Sequence, residues 1–318
     1  MGLYGDNAMK PSILFSSFYS RYKVYRSHHV REASLAHAEA VRNHYFLHLD
    51  KTPINVAFSK RNIQSIYNKI LGDESFSPSW KNRMFGVLRR FLDAAGKWGY
   101  LSLSETTKAK ATLENIPENR RLKERPCWNK EQTHRFLSVI DDQDDRLMFS
   151  LFIELGARLS EFLALSWQAY DARKGSLAIL AQLKGNSKKR QVVSPLLKTK
   201  ESYRVCKISP AMKEALNKRK QSSLSPYLFH DRGNPGDPYP KALFRKRFEK
   251  YIALAKLPRI TPHAVRHAKA TALVKACRNM LEIKAVARYL GHSVSMLLDV
   301  YAHEEEKTLE AVLRRCQS

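Results

Sequence analysis

The stretch TPHAVRHAKATALVKA, residues 261–276, decides how the rest of the chain is read. Thr261 can cap a helix, and Pro262 suits the first helical position, where its missing N–H costs nothing. His263, Arg266 and His267 then fall at i, i+3 and i+4, on one face. Three nitrogen donors on one turn suit a phosphate, which an arginine grips with two parallel hydrogen bonds. His263 and His267 also have the spacing of a zinc-peptidase helix. Ala264 stands where that motif needs its glutamate, so a peptidase is excluded. Taken alone, the segment reads equally as a helix with surface histidines.

Two other strings extend the reading. In ELGARLSEFLAL, residues 154–165, Gly156 is expected to stop the helix DDRLMFSLFIEL (144–155) in a left-handed conformation. Ser160 is expected to cap the next short helix, and Arg158 to project from the elbow between the two. By itself, Arg158 reads as an arginine at a helix N-terminus paired with Glu161 or a carbonyl. In ARYLGHSVSMLLDVYAHE, residues 287–304, Gly291 breaks a helix, His292 follows it, and Tyr301 comes nine residues after His292. By itself, Tyr301 reads as a core tyrosine beside a turn.

In their order and spacing the three strings resemble the tyrosine recombinase (phage integrase) family, and the likeness covers most of the chain. The resemblance implies a mainly α fold with a small β-sheet. It implies a SAM-like helical core-binding domain over residues 12–115, a linker over 116–126 and an α+β catalytic domain over 127–318. It implies Tyr301 as nucleophile, with Arg158, His263, Arg266 and His292 around it. The family's catalytic lysine has two candidates. Lys198, in LLKTKESYRVCKIS (196–209), is preferred to Lys184, in QLKGNSKKRQ (182–191), and Lys200 is a third choice. The chain departs from the commonest pattern with Leu-Gly-Ala-Arg before the first elbow, with Ala264 and Val265 inside the His-x-x-Arg box, and with Leu297 and Leu298 before the tyrosine. None of these removes a reactive group.

The implied reaction is transesterification on double-stranded DNA, as in phage or mobile-element recombination. A tyrosine hydroxyl with its pKa near ~10 is a poor nucleophile at neutral pH. His263 is the expected base, and the two arginines and His292 would gather the charge that develops on the phosphate oxygens. A lysine would protonate the departing 5′ oxygen. Such a cation set works without a metal, and no P-loop suggests ATP, so no cofactor is expected. The resemblance further implies a homotetramer on paired sites, held by an amphipathic helix over 304–316 docked on a neighbouring protomer; taken alone, that helix reads equally as one packed on its own domain. An accessory DNA-bending protein is left open, and an arm-binding domain before residue 12 is not expected. Two alternatives share these residues: a DNA-binding protein that has lost the chemistry, and a type IB topoisomerase-like relaxer.

Composition agrees with a polyanionic partner. Of 318 residues, 56 are Lys or Arg and 30 Asp or Glu, a formal charge of +26. The excess is spread: residues 1–125 carry 21 basic and 11 acidic groups, and residues 126–318 carry 35 and 19. Both halves are expected to face nucleic acid, where counterion release drives binding; from charge alone, a solvated basic surface or adhesion to anionic lipid are the other readings. No apolar run is long enough to span a membrane. With no export signal, the four scattered cysteines read as reduced thiols of a cytoplasmic protein.

The first half is expected to be helical. Helices are predicted over Val30–Leu49, Ala57–Leu71 and from Ser77 onward. In the last, Met84, Phe85, Leu88, Phe91, Leu92, Ala95 and Trp98 form a buried stripe, and Lys81, Arg83, Arg89, Arg90 and Lys97 a basic outer face. Residues 105–126, rich in charge, read as interdomain linker. Strands are predicted at SLAIL, QVVSPLL and YRVCKIS, with helices resuming from Pro210.

Overall fold

A computed structural model describes residues 10–28, 32–117, 127–185, 191–197 and 202–301. The chain forms two compact units, Met1–Lys123 and Glu124–Ser318.

The first unit is all helical: α1 (Phe15–Ser27), α2 (Glu32–Val41), α3 (Ile54–Ala57), α4 (Lys60–Gly72), α5 (Pro78–Lys97) and α6 (Leu103–Ala111). Ser77 caps α5 by accepting from the Trp80 N–H, with Pro78 in the first turn. The Phe91 ring of α5 meets Tyr22 edge-on at 4.8 Å, and Phe15 stacks on Phe46 at 4.9 Å. Phe15, Phe46, Phe58 and Phe91 are all sealed from solvent.

Several local expectations change here. The helix expected over Val30–Leu49 is α-helical only to Val41 among the described residues, then winds through a π-turn and a short 3₁₀ turn. The helix expected from about Ala57 to Leu71 is α4, which starts at Lys60, and Ala57 instead ends the preceding short helix α3. Ser59 sets that start by capping α4 through the Asn62 N–H. Lys81 is not on an outer face. It is buried, and its ammonium donates to the Leu71 carbonyl at 2.7 Å. Trp98 caps α5 rather than extending it. Residues 103–111, partly inside the stretch read as linker, form α6. Ser102 and Glu105 make a reciprocal capping box, and Ala109 is buried in the first core. Most of 116–126 lies outside the described residues.

The second unit packs α7 (Lys130–Ser138), α8 (Gln143–Leu155), α10 (Pro210–Ser222) and α11 (Lys241–Leu254) around Phe136, Phe149, Phe152, Phe244 and Phe248. A three-stranded antiparallel sheet has the order β1 (Tyr170–Asp171), β2 (Ser176–Ile179), β5 (Arg204–Lys207). Its register places Ile179 opposite Arg204 and Ser176 opposite Lys207. Between β2 and β5 the chain makes a hairpin of β3 (Gln182–Lys184) and β4 (Val192–Ser194). A further hairpin, β6 (His230–Asp231) and β7 (Asn234–Pro238), interrupts the helices expected after Pro210. Helices α12 (Pro262–Ala276), α13 (Met280–Leu290) and α14 (Val294–Tyr301) share a small core of Ala270, Val274, Ile283, Ala287, Leu290 and Leu297.

Two glycines set the geometry between these parts. Gly156 ends α8 at φ +57°, and Gly291 ends α13 at φ +66°. A Cβ on Gly156 would lie 2.9 Å from the Lys269 side chain on α12, so both backbone angle and close approach demand glycine.

Candidate active site

Arg158 follows Gly156 at the start of the short helix α9 (Leu159–Phe162). The cap of α9 is Arg158 itself, with extended backbone, and not Ser160 as expected. The Glu161 carboxylate reaches back to the Arg158 backbone N–H at 3.3 Å and accepts from its guanidinium at 2.7 Å. Arg158 also donates to the Ser202 hydroxyl and, at 2.9 Å, to the Gly291 carbonyl. Its side chain keeps 27% exposure, so the Glu161 pairing does not hide it.

Arg266 points inward from α12 and is 1% exposed. It donates to the Gly156 carbonyl at 2.9 Å, to the Leu290 carbonyl, and from Nε to His292 Nε2 at 3.0 Å. His263 and His267 do not share its environment. They lie nearer the surface, ring against ring at 4.6 Å and nearly perpendicular. The three donors of this turn thus divide between a buried arginine and two outer histidines.

His292 is buried beside these arginines. Burial, then repulsion from Arg266 and Arg158, holds its pKa down to about 3, so the ring is neutral. Nε2 accepts the Arg266 N–H, which places the ring proton on Nδ1. That atom is buried and has no hydrogen-bond partner among the described residues. Burial and the neighbouring Arg158 and Arg204 bring Arg266 down to about 9, leaving it charged at neutral pH.

A third arginine was not singled out from the sequence. Arg204, at the start of β5, is buried and donates to the Tyr289 carbonyl at 2.8 Å, to the Ser202 carbonyl at 2.8 Å and to Glu161 at 2.9 Å. Burial pushes the Glu161 carboxyl up, but Arg204 and Arg158 together hold it below the usual range. The final carbonyls of α13 are therefore taken in succession. Tyr289 goes to Arg204, Leu290 to Arg266 and Gly291 to Arg158. A helix C-terminus leaves its last carbonyls without intrahelical donors and carries partial negative charge, which suits guanidinium groups. No spacing rule links positions 158, 204 and 266, and Arg204 shares its short strand with a second cation, Lys207, so local pattern does not mark it.

A groove of about 590 Å³ opens beside Arg158, with Arg245, Arg259, Thr261 and His263 in its lining. Its one carboxylate, Glu249, is paired with Arg259 at 2.6 Å. Lys184 stands exposed at the end of β3. Tyr301 is the last residue of α14, and its side chain lies outside the described set, as do Lys198, Lys200 and the 304–316 segment. The run Asp141–Asp145 is engaged in ion pairs: Asp142 with Arg232 and Asp145 with Arg247, both at 2.5 Å, and Asp144 with Arg219. Among the described residues no group of three or more His, Cys, Asp or Glu side chains could hold a metal ion, and no helix is long and apolar enough to cross a membrane.

Residues 128–308 match the model of the phage integrase family. Similar curated proteins include tyrosine recombinase XerC of Thermodesulfovibrio yellowstonii, 27% identical over 52% of this chain and 52% of that protein. Tyrosine recombinase XerD of Rhizobium meliloti is 30% identical over 55% of this chain and 53% of that protein. The chain spans about half the length of these relatives. Among solved structures, the Tn1549 transposon integrase in complex with transposon right end DNA superposes with a TM-score of 0.77 at 18% identity, over 96% of this chain and 100% of that one. A lambda integrase tetramer bound to a Holliday junction gives 0.61 at 16%, over 92% and 83%. The mainly helical fold with small sheets is the integrase fold.

Proposed function

The chain belongs to the phage integrase family, and from that premise we propose that it is a site-specific DNA recombinase that cuts and rejoins DNA through a 3′-phosphotyrosyl intermediate. The observation that carries the reading is the convergence of Arg158, Arg266 and His292, from three distant segments, on the end of α13.

Tyr301 is the proposed nucleophile, and its hydroxyl attacks the scissile phosphorus. His263, on the outer side of α12, accepts the proton. Arg158 and Arg266 oppose the charge on the non-bridging oxygens. His292 adds a neutral donor through Nδ1, the ring atom that Arg266 leaves protonated and that has no partner among the described residues. The 5′ oxygen leaves with a proton from Lys198, with Lys184 as the alternative donor. The broken phosphodiester is exchanged for a phosphotyrosyl ester of similar energy, so rejoining by a 5′ hydroxyl needs no added energy source.

Double-stranded DNA is the proposed substrate. The basic groove beside Arg158 and the net charge of +26 support it. A homotetramer on paired sites is the proposed working form, by likeness to the lambda integrase tetramer. The first unit would act as a core-binding domain, and the 304–316 segment would dock on a neighbouring protomer. The test is covalent capture: the full chain is incubated with a randomised pool of nicked duplexes and denatured. A protein–DNA adduct absent in Tyr301→Phe is the expected result. DNA binding without any adduct would overturn the reading.

A further inference from the structure

Arg204 joins the arginine cluster through Glu161 and the end of α13 while touching the surface with almost none of its side chain. Only 6% of the residue is exposed. It shares the Glu161 carboxylate with Arg158: Oε1 takes Arg158 at 2.7 Å and Oε2 takes Arg204 at 2.9 Å. Its other donors hold the Ser202 carbonyl, just before β5, and the Tyr289 carbonyl, three residues before His292.

The charges explain why the position needs an arginine. Glu161 is 3% exposed and ionised, and it lies directly against Arg158. A buried carboxylate in contact with a guanidinium cancels much of the field that guanidinium projects, because little solvent screens the pair. Arg158, Arg204, Arg266 and Glu161 together carry two net positive charges. Without Arg204 they carry one, and Glu161 would turn its whole charge on Arg158. The attacked phosphate gains negative charge as the nucleophile adds, so the loss falls on the transition state more than on the bound ground state.

We propose that Arg204 is a positioning residue of the strand-cleavage reaction: it balances the Glu161 carboxylate so that Arg158 keeps its charge for the scissile phosphate, and it holds the end of α13 that presents His292. The proposal rests on the recombinase reading above. It assigns Arg204 no contact with DNA.

The experiment uses the full chain and a nicked duplex recovered by covalent capture. Single-turnover adduct formation and duplex affinity are measured for wild type, Arg204→Met, Arg204→Lys, and Arg204→Met combined with Glu161→Gln. Arg204→Met is expected to slow cleavage about 30-fold or more, within the range lost when a supporting partner or transition-state donor is removed, with affinity changed less than about threefold. Arg204→Lys keeps the charge and should retain cleavage within about tenfold. The double variant removes the uncompensated carboxylate and should cleave about fivefold or more faster than Arg204→Met. A purely structural role would not give that recovery. If Arg204→Met fails to fold, Arg204→Lys and the double variant, neither of which leaves Glu161 unbalanced, decide the matter. Cleavage by Arg204→Met at the wild-type rate overturns the proposal. So does a double variant no faster than Arg204→Met, or, where that variant is unfolded, a loss beyond about 100-fold in both remaining variants. If wild type itself forms no adduct, it is the recombinase reading that falls.

Discussion

The cores of the two units are alike in their aromatic packing and differ in what is buried beside it. In the first, Phe15, Phe46, Phe58 and Phe91 pack ring against ring, and the one buried lysine among the described residues, Lys81, is spent on a helix-end carbonyl. In the second, an aromatic core of similar kind sits beside a cluster that buries Arg204, Arg266 and Glu161. Apolar burial stabilises a fold at little risk. Burying charge costs several kcal/mol per ion before partners offset it. The second unit carries that cost where three segments meet, and under the proposed function the charges there have a task that leucine or phenylalanine cannot perform. One core keeps the chain folded, and the other spends stability on holding cations in place.

The sharpest way to break this contrast is to exchange the expected effects. Phe91→Ala should lower the stability of the first unit by about 4 kcal/mol, read from denaturant midpoints. It should leave single-turnover cleavage of bound DNA nearly unchanged at 25 °C. Arg266→Gln should do the reverse in emphasis, with cleavage falling about 10²–10³-fold, equivalent to about 3–4 kcal/mol of barrier. A cleavage loss in Phe91→Ala as large as that in Arg266→Gln would erase the distinction.

The same contrast has a pH signature. His292 stays neutral in the folded chain down to about 3, whereas in the unfolded chain it takes a proton near ~6.5. Between these values the unfolded state binds more protons, so the His292 contribution is lost as pH falls from about 6.5 toward 3. Its slope is at most ~1.4 kcal/mol per pH unit. Urea midpoints at pH 7 and pH 5 should show wild type losing roughly 2 kcal/mol more than His292→Gln. Equal losses would place the imidazole in water. The smallest effect is expected at Gly156→Ala, about 1 kcal/mol from the left-handed backbone angle. The crowding against Lys269 adds to it and should also slow cleavage, because the Gly156 carbonyl holds Arg266. A variant as stable as wild type would show that the elbow has room.

The sequence made the elements with local signals legible. Ser77–Pro78, Thr261–Pro262, Gly156 and Gly291 each state a cap or a stop, and each does so in the structure. Charge patterning misled where a long side chain crosses an interface. Lys81 reads as surface because lysines usually are, yet its ammonium reaches the end of α4. The highly charged start of the stretch taken as linker hid α6, whose capping box is only four residues long. At the site, Arg158 and His292 stand out through the resemblance of their strings to the family's boxes, each string carrying a glycine stop just before the residue. Arg204 does not, because its role arises from the β2–β5 register and the approach of α13, and neither is written in local spacing.

Peptide mapping of the covalently captured complex tests the central claim most directly. After nuclease and protease digestion, mass spectrometry should find a nucleotide joined through phosphate to the peptide that contains Tyr301, with fragmentation placing it on that ring. An adduct on any other residue, or DNA bound tightly by wild type with no modified peptide at all, would contradict the account.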